Sequence, residues 1–300
     1  MAEYSVGSRG EEGMSLQKEG RAMLTTLKQS FERLGNEVIS PMQERDFEAA
    51  VDKLSKDCDA GIVIAPDELL LSLTEIVESN TVNLGCPCEC VRICTDKLQT
   101  TEILSEAGIP VPEIVADAWI PGKKYVIKPR YGCASEDVFI IEGTKRYDPG
   151  DGFPGDGFIT MEYIKGENIS SSVVAGSSGA LPLTVNKQFI RMEHTGRLRL
   201  RYTGGLVPYH MDAEREILDM SKQIVAALGC SGYIGIDFVV RSEGERRAYV
   251  VDVNPRPTTS IVGIARVLNY ELGDLLLSAK FGSLPGEEDL KTEGCFIFNL

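Results

Sequence analysis

Apolar positions recur at helical spacing through Leu16, Met23, Leu24, Leu27, Phe31 and Leu34, and Gly35 follows as a stop. The spacing predicts an amphipathic helix over Leu16–Leu34 and a shorter one over Phe47–Leu54. Gly61–Ala65 (GIVIA) is apolar and largely β-branched, the texture of a strand buried on both faces of a parallel sheet. A helical stretch, Asp67–Glu78, and a short strand, Val82–Leu84, come next. Tyr4 and Val6 read as the end of a first strand. Helices alternating with strands define an α/β lobe. A further helix, Asp96–Ala107, is closed by Gly108 and Pro110.

From Tyr125 the period shortens. Tyr125–Lys128, Val138–Ile141, Phe158–Tyr163 and Ser170–Ala175 read as short strands parted by Gly, Pro and Asp turns, so this region is mostly antiparallel. Tyr147–Gly157 (YDPGDGFPGDG) is a loop. A helix at Ala213–Leu228 precedes two strong strands, Tyr233–Val240 and Ala248–Val253, joined across the polar turn Ser242–Arg247. A last helix, Ile261–Ser278, ends before Gly282 and Pro285. At 300 residues the chain exceeds what one core comfortably supports, which predicts two or three packed lobes.

Composition narrows the function. With 43% hydrophobic and 25% charged residues, the chain is neither disordered nor fibrous. Its net charge of −14 repels nucleic-acid phosphates and anionic headgroups, so neither a nucleic-acid nor a membrane partner is expected. No apolar run reaches the ~20 residues that span a bilayer. Met1–Gly20 lacks the apolar core of a secretory signal, which predicts a cytoplasmic protein with reduced thiols. Of the eight cysteines, Cys58, Cys133, Cys230 and Cys295 read as scattered small hydrophobes. Cys86, Cys88, Cys90 and Cys94 form one C-x-C-x-C-x3-C run. Zinc ribbons draw ligands from two separate knuckles, so the expectation here is a buried or redox-incidental cluster, with a thiol-based metal site using Cys86–Cys94 as the lesser alternative.

Four features carry chemistry. Lys128 ends an apolar strand that Pro129 stops, which fixes where its ammonium projects. Glu162-Tyr163-Ile164-Lys165-Gly166-Glu167 ends a strand in a turn flanked by carboxylates, where backbone groups could read an adenine edge and Glu167 a ribose. Gly235-Ile236-Asp237 and Asp252-Val253-Asn254-Pro255-Arg256 lie on two strands of one hairpin, so Asp237, Asp252 and Asn254 can converge. Three hard oxygens in an apolar strand pair suit Mg²⁺, and Arg256 could neutralise phosphate charge. Tyr131–Asp137 (YGCASED) has the small residues of a loop covering phosphates.

In this order the motifs resemble the ATP-grasp superfamily over essentially the whole chain. Within it, Glu3-Tyr4, Glu19-Gly20-Arg21-Ala22-Met23, Thr95-Asp96-Lys97, Gly166-Glu167-Asn168, Asn186-Lys187-Gln188 and Asn254-Pro255-Arg256-Pro257-Thr258-Thr259-Ser260 are similar to the tyramine–glutamate ligase family of methanofuran synthesis. The resemblance implies a fold that is α/β and α+β: an N-terminal parallel lobe over residues 1–94, an ATP-grasp small subdomain over 95–165 and a C-terminal subdomain over 166–300. It implies ATP phosphate contacts from Lys97 and Lys128, an adenine hinge at Glu162, Tyr163 and Ile164, and a ribose contact at Glu167. Asp237, Asp252 and Asn254 would hold Mg²⁺, with Mn²⁺ as an alternative, and Lys128 and Arg256 would be catalytic.

The implied reaction is ATP-dependent carboxylate–amine ligation through an acyl-phosphate. A ligase for another amino acid and amine, or a non-catalytic nucleotide-binding regulator, stays open, as does a homodimer. Asn186, Lys187, Gln188, Arg191, Arg201 and Tyr202 are candidates for the acceptor site, while Arg197, Arg199 and Arg201 read as a solvated strand face. His194 and His210 read as polar residues of the surface or substrate edge, with no triad spacing.

Overall fold

The computed structural model describes residues 1–9, 14–115, 120–132, 138–143, 157–194 and 198–299. Four short strands lie among the N-terminal helices: β1 (Ala2–Glu3), α1 (Tyr4–Gly7), α2 (Met14–Arg33), α3 (Phe47–Ser55), β2 (Ala60–Gly61), β3 (Val63–Ile64), α4 (Asp67–Asn80) and β4 (Val82–Asn83). Two helices follow, α5 (Cys88–Thr95) and α6 (Lys97–Glu106), then β5 (Lys124–Pro129), β6 (Phe139–Glu142), β7 (Phe158–Glu162), β8 (Gly166–Gly176), β9 (Gly179–His194) and β10 (Leu198–Val207). The chain closes with α7 (Glu214–Ala227), β11 (Gly232–Arg241), β12 (Ala248–Asn254), α8 (Ile261–Val267), α9 (Leu272–Phe281) and β13 (Phe296–Asn299).

The N-terminal strands pair in parallel, Ala2 with Val63 and Ala60 with Val82, as the alternation of elements predicts. Two local expectations fail there. Tyr4 and Val6 lie in a helix, because the buried carboxylate of Glu3 accepts from the amides of Ser5 and Val6 and starts a turn. The apolar run at Gly61–Ala65 is split between two short pairings instead of forming one strand.

Everything from β5 onward shares one antiparallel sheet in the order β12-β11-β8-β9-β10-β6-β5-β7, with β13 added along β10. Leu198 and Arg199 of β10 pair with Ile140 and Phe139 of β6, so the sheet runs unbroken from the hairpin β5–β6 into the long strands. Its two faces have separate cores. Alternate residues of β8 and β11 (Ile169, Val173, Ile234, Ile236, Phe238) pack with α4, α5 and α7 on one side. Val174, Leu181 and Tyr233 pack with Met23, Leu27 and Phe31 of α2 and with α8 and α9 on the other.

The last predicted helix is two helices. Asn269 breaks it: its amide donates to the Lys291 carbonyl and its side chain accepts from the Lys291 amide, tying the break to the C-terminal segment. The loops at 133–137 and 148–156, and Cys133, Ser135 and Arg197, lie outside the described residues.

Candidate active site

The hairpin β11–β12 builds the centre of the site. Asp237 stands directly across from Asp252, and Gly235 across from Asn254, with a register shift immediately after Asp237. The bare Cα of Gly235 matters because a Cβ there would overlap the Thr258 side chain, so the segment after β12 can fold down against β11. Asn254 Nδ2 donates to Asp237 Oδ2 at 3.3 Å and Gln188 Nε2 donates to Oδ1 at 2.8 Å. Burial, aggravated by the neighbouring Asp252 charge, raises the Asp237 pKa to about 7 against those two hydrogen bonds. Asp252 accepts no hydrogen bond among the described residues.

Two lysines face this pair. Lys97 and Lys128 are both buried, 8% exposed each, and line one small cavity with Asp252. Lys128 Nζ donates to the Val251 carbonyl at 2.5 Å and makes no ion pair among the described residues. Burial lowers its pKa and Lys97 lowers it further, while Asp252 and Asp237 oppose the fall. Lys97 Nζ donates to Asp67 at 3.1 Å and to the Gly132 carbonyl at 2.5 Å. Asp96 fixes this corner: it caps α6 through the amides of Leu98 and Gln99 and receives Arg130 at 2.8 and 2.6 Å.

Arg256 completes the group. Its Nε–H is buried with no partner among the described residues, an orphaned donor that a bound anion would satisfy. Asp67, Asp237 and Glu19 all feel its charge.

The turn after β7 lies at the other end of the cleft. The amides of Glu162 and Tyr163 are taken by the carbonyls of Glu113 and Lys124, at 2.8 and 3.1 Å. The Ile164 amide has no partner among the described residues. The Glu162 side chain lies 4.0 Å from Arg241. Glu167 accepts from Lys187 and, at 2.7 Å, from Tyr209. Burial pushes its acidity the other way, yet those two donors hold its pKa below the usual value.

The acceptor candidates divide. Gln188 reaches Asp237, and Tyr202 feels Asp237 and Glu19 from a largely enclosed position. Asn186 is buried, accepting from Thr184, and Lys187 belongs to Glu167. Arg191 is exposed, as is Arg201, which pairs with Glu193 at 3.7 Å. His210 pairs with Glu214 on the surface; the His194 side chain lies outside the described residues.

Sequence reasoning missed two carboxylates. Glu19, on α2, accepts from Thr259 at 3.1 Å and shares the fields of Arg256 and Arg201. Burial raises its pKa despite those partners. Asp67, at the start of α4, is raised by burial in the same way and pairs with Lys97. A polar residue at a helix start carries no such signal by itself; only the fold brings both to Arg256.

Asp237, Asp252 and the Asn254 carbonyl offer hard oxygens, the Asp252 carboxylate accepts no hydrogen bond among the described residues, and burial with the Asp252 charge beside it holds the Asp237 pKa up. A divalent cation fits these residues.

Residues 94–260 match the ATP-grasp domain family. That is more than half of the chain, which therefore belongs to the ATP-grasp family, whose ligases use ATP and a divalent metal ion. More particularly, it is 28% identical to the tyramine–L-glutamate ligase of Methanocaldococcus jannaschii, over 92% of this chain and 86% of that one. It is 26% identical to the ligase of the same name from Methanocaldococcus fervens, over 87% of each. Among solved structures it superposes on an ATP-grasp superfamily protein from Archaeoglobus fulgidus with a TM-score of 0.76 and 24% identity, covering 100% of this chain and 98% of that one.

Proposed function

We propose that this protein is an ATP-dependent carboxylate–amine ligase that joins the γ-carboxyl of L-glutamate to tyramine, giving γ-glutamyltyramine, ADP and phosphate in methanofuran biosynthesis. The observation that carries the reading is the cross-strand pair Asp237–Asp252, with Asp252 unpartnered, set between buried Lys128 and the orphaned Nε–H of Arg256. Two carboxylates and two cationic side chains within one another's fields make a site suited to phosphoryl transfer, in which positioning and charge neutralisation do the catalytic work.

In this reading the substrate carboxylate oxygen attacks the γ-phosphorus of ATP, and the bond to the ADP oxygen breaks. The amine nitrogen then attacks the acyl-phosphate carbon, phosphate leaves, and the amine proton is lost. Lys97 and Lys128 hold the phosphates, and Arg256 takes the charge that develops on the transferring group and on departing phosphate. Ile164 reads the adenine edge within the hinge of Glu162 and Tyr163, and Glu167 holds the ribose. Asp237, Asp252 and Asn254 would hold the cation, Mg²⁺ with Mn²⁺ as the alternative, and it would supply neutralisation of phosphate charge. Glu19, whose pKa burial raises against the pull of Thr259 and Arg256, receives the ammonium of the amine and accepts its proton.

On this account residues 95–165 and 166–300 close on ATP and residues 1–94 cover the acceptor side. The net charge of −14 supports an enzyme without a nucleic-acid partner, the polar Met1–Gly20 supports a cytoplasmic one, and no helix among the described residues is long and apolar enough to cross a membrane. Incubation with ATP, Mg²⁺, glutamate and tyramine, read by mass spectrometry, tests the proposal. The expected products are ADP and γ-glutamyltyramine. ADP with another carboxylate–amine pair alone would refute the substrates, and bound ATP without ADP under any pair would refute the ligase.

A further inference from the structure

Cys86, Cys90 and Cys94 are buried, as the sequence predicts, but a cysteine from outside the run joins them. Cys90 and Cys94 lie one turn apart on α5 and face the same way, and Cys230 reaches them from the connection between α7 and β11. Cys230 is therefore not a scattered small hydrophobe, and the thiols are not all reduced: Cys90 and Cys230 are joined in a disulfide across 140 residues of sequence. Cys94 stays a thiol, with its sulfur 3.9 Å from Cys90 Sγ and 3.7 Å from Cys230 Sγ. Cys88 is only half-buried and stands apart from this group, beside Glu78.

Those two spacings have a chemical meaning. Sulfurs bound at ~2.3 Å to one tetrahedral or trigonal ion are about 3.8–4.0 Å apart. Two edges of such a triangle are already in place, and the third is closed by the Cys90–Cys230 bond. A fourth buried thiol, Cys86, hydrogen-bonds to the Tyr233 carbonyl at 3.5 Å, three residues along the chain from Cys230. All four side chains are at most 8% exposed, and the surroundings are apolar apart from the fields of Asp67 and Asp252, which favour a cation.

We propose that Cys90, Cys94 and Cys230, whose sulfurs lie within 4.8 Å of one another, form a thiolate site for a thiophilic d¹⁰ cation of the zinc class in the reduced protein, with Cys86, outside that group but close enough to feel Cys94, moving in to close the shell. A site with only sulfur ligands and no open position is structural. It would pin α5, which leads into Asp96 and Lys97, to β11, which carries Asp237. The disulfide is the metal-free, oxidised form of the same site. A phosphine converts one to the other: it and one water cleave the S–S bond to two thiols, leaving phosphine oxide. The cation then binds as the thiols release their protons.

The test uses the full chain, treated with a water-soluble phosphine under anaerobic conditions and titrated with Cd²⁺ as the spectroscopic probe. Alkylation and intact mass must first show two thiols gained on reduction. The proposal expects a thiolate-to-cadmium charge-transfer band saturating at one equivalent, absent before reduction, and a Tm raised by the metal. Affinity should fall by at least roughly 10-fold in Cys94→Ser and in Cys230→Ser, and stay unchanged in Cys58→Ser. Should either serine variant fail to fold, Cys86→Ser gives the readout through a weaker band. Two thiols gained with no band, or an undiminished band in folded Cys94→Ser, would overturn the site and leave the cluster a plain disulfide with a bystander thiol.

Discussion

Replacing Asp237 by Asn should strengthen the fold while abolishing turnover, by an amount that depends on pH. The folded protein holds this carboxyl at about 7, against an ordinary 3.8. The raised value means that burial penalises the charged form, so the wild type is relatively most stable below pH 3.8 and loses stability as pH rises towards 7. At ~1.4 kcal/mol per pH unit the full loss is about 4 kcal/mol above pH 7, and about 1.6 of it is already present at pH 5. Asn carries no charge and escapes this loss. Its amide, however, meets two donors, Gln188 Nε2 and Asn254 Nδ2, so one hydrogen bond worth about 1 kcal/mol is lost. Without divalent cation the variant should therefore be about 3 kcal/mol more stable than wild type at pH 8 and within 1 kcal/mol of it at pH 5. Urea melts in EDTA at the two pH values measure this. A difference that is the same at both pH values, or a variant less stable than wild type at pH 8, would refute the reasoning. Mg²⁺ should close the gap at pH 8 by stabilising the wild type alone.

Lys128→Met should lower ADP formation roughly 100- to 1,000-fold in steady-state kinetics without lowering Tm, because a buried ammonium is exchanged for an apolar chain of similar length. Glu167→Gln should raise the KM for ATP about 10-fold with kcat little changed, the cost of one charge-assisted hydrogen bond at the ribose end. Glu19→Gln should raise the KM for the amine about 10-fold and leave the KM values for ATP and the carboxylate alone; an equal rise in all three would place Glu19 outside the acceptor site.

The hairpin at the centre was legible because its physics is local. Apolar alternation, a polar turn and two carboxylates on neighbouring strands pointed to a cation, and the hairpin pairing sets Asp237 across from Asp252. Lys128 was legible for the same reason, since a proline ends its strand. What was not legible depends on contacts distant in sequence. The break at Asn269 is made by Lys291, and nothing in the run Ile261–Ser278 announces it. Glu19 gains its neighbours only when α2 crosses to Thr259, 240 residues away. The cysteine run disguised a helix: Pro87 at its cap and Val91 and Ile93 within it gave a weak helical pattern, and the third sulfur comes from Cys230, which spacing along the chain could not connect.

Carboxylate activation is the centre of the account, and oxygen transfer tests it most directly. Glutamate labelled with ¹⁸O in its γ-carboxyl would be supplied with ATP, Mg²⁺ and tyramine, and the phosphate released analysed by mass spectrometry. An acyl-phosphate route predicts one ¹⁸O atom in each phosphate formed, with the other retained in the amide. Unlabelled phosphate accompanying labelled amide would contradict it.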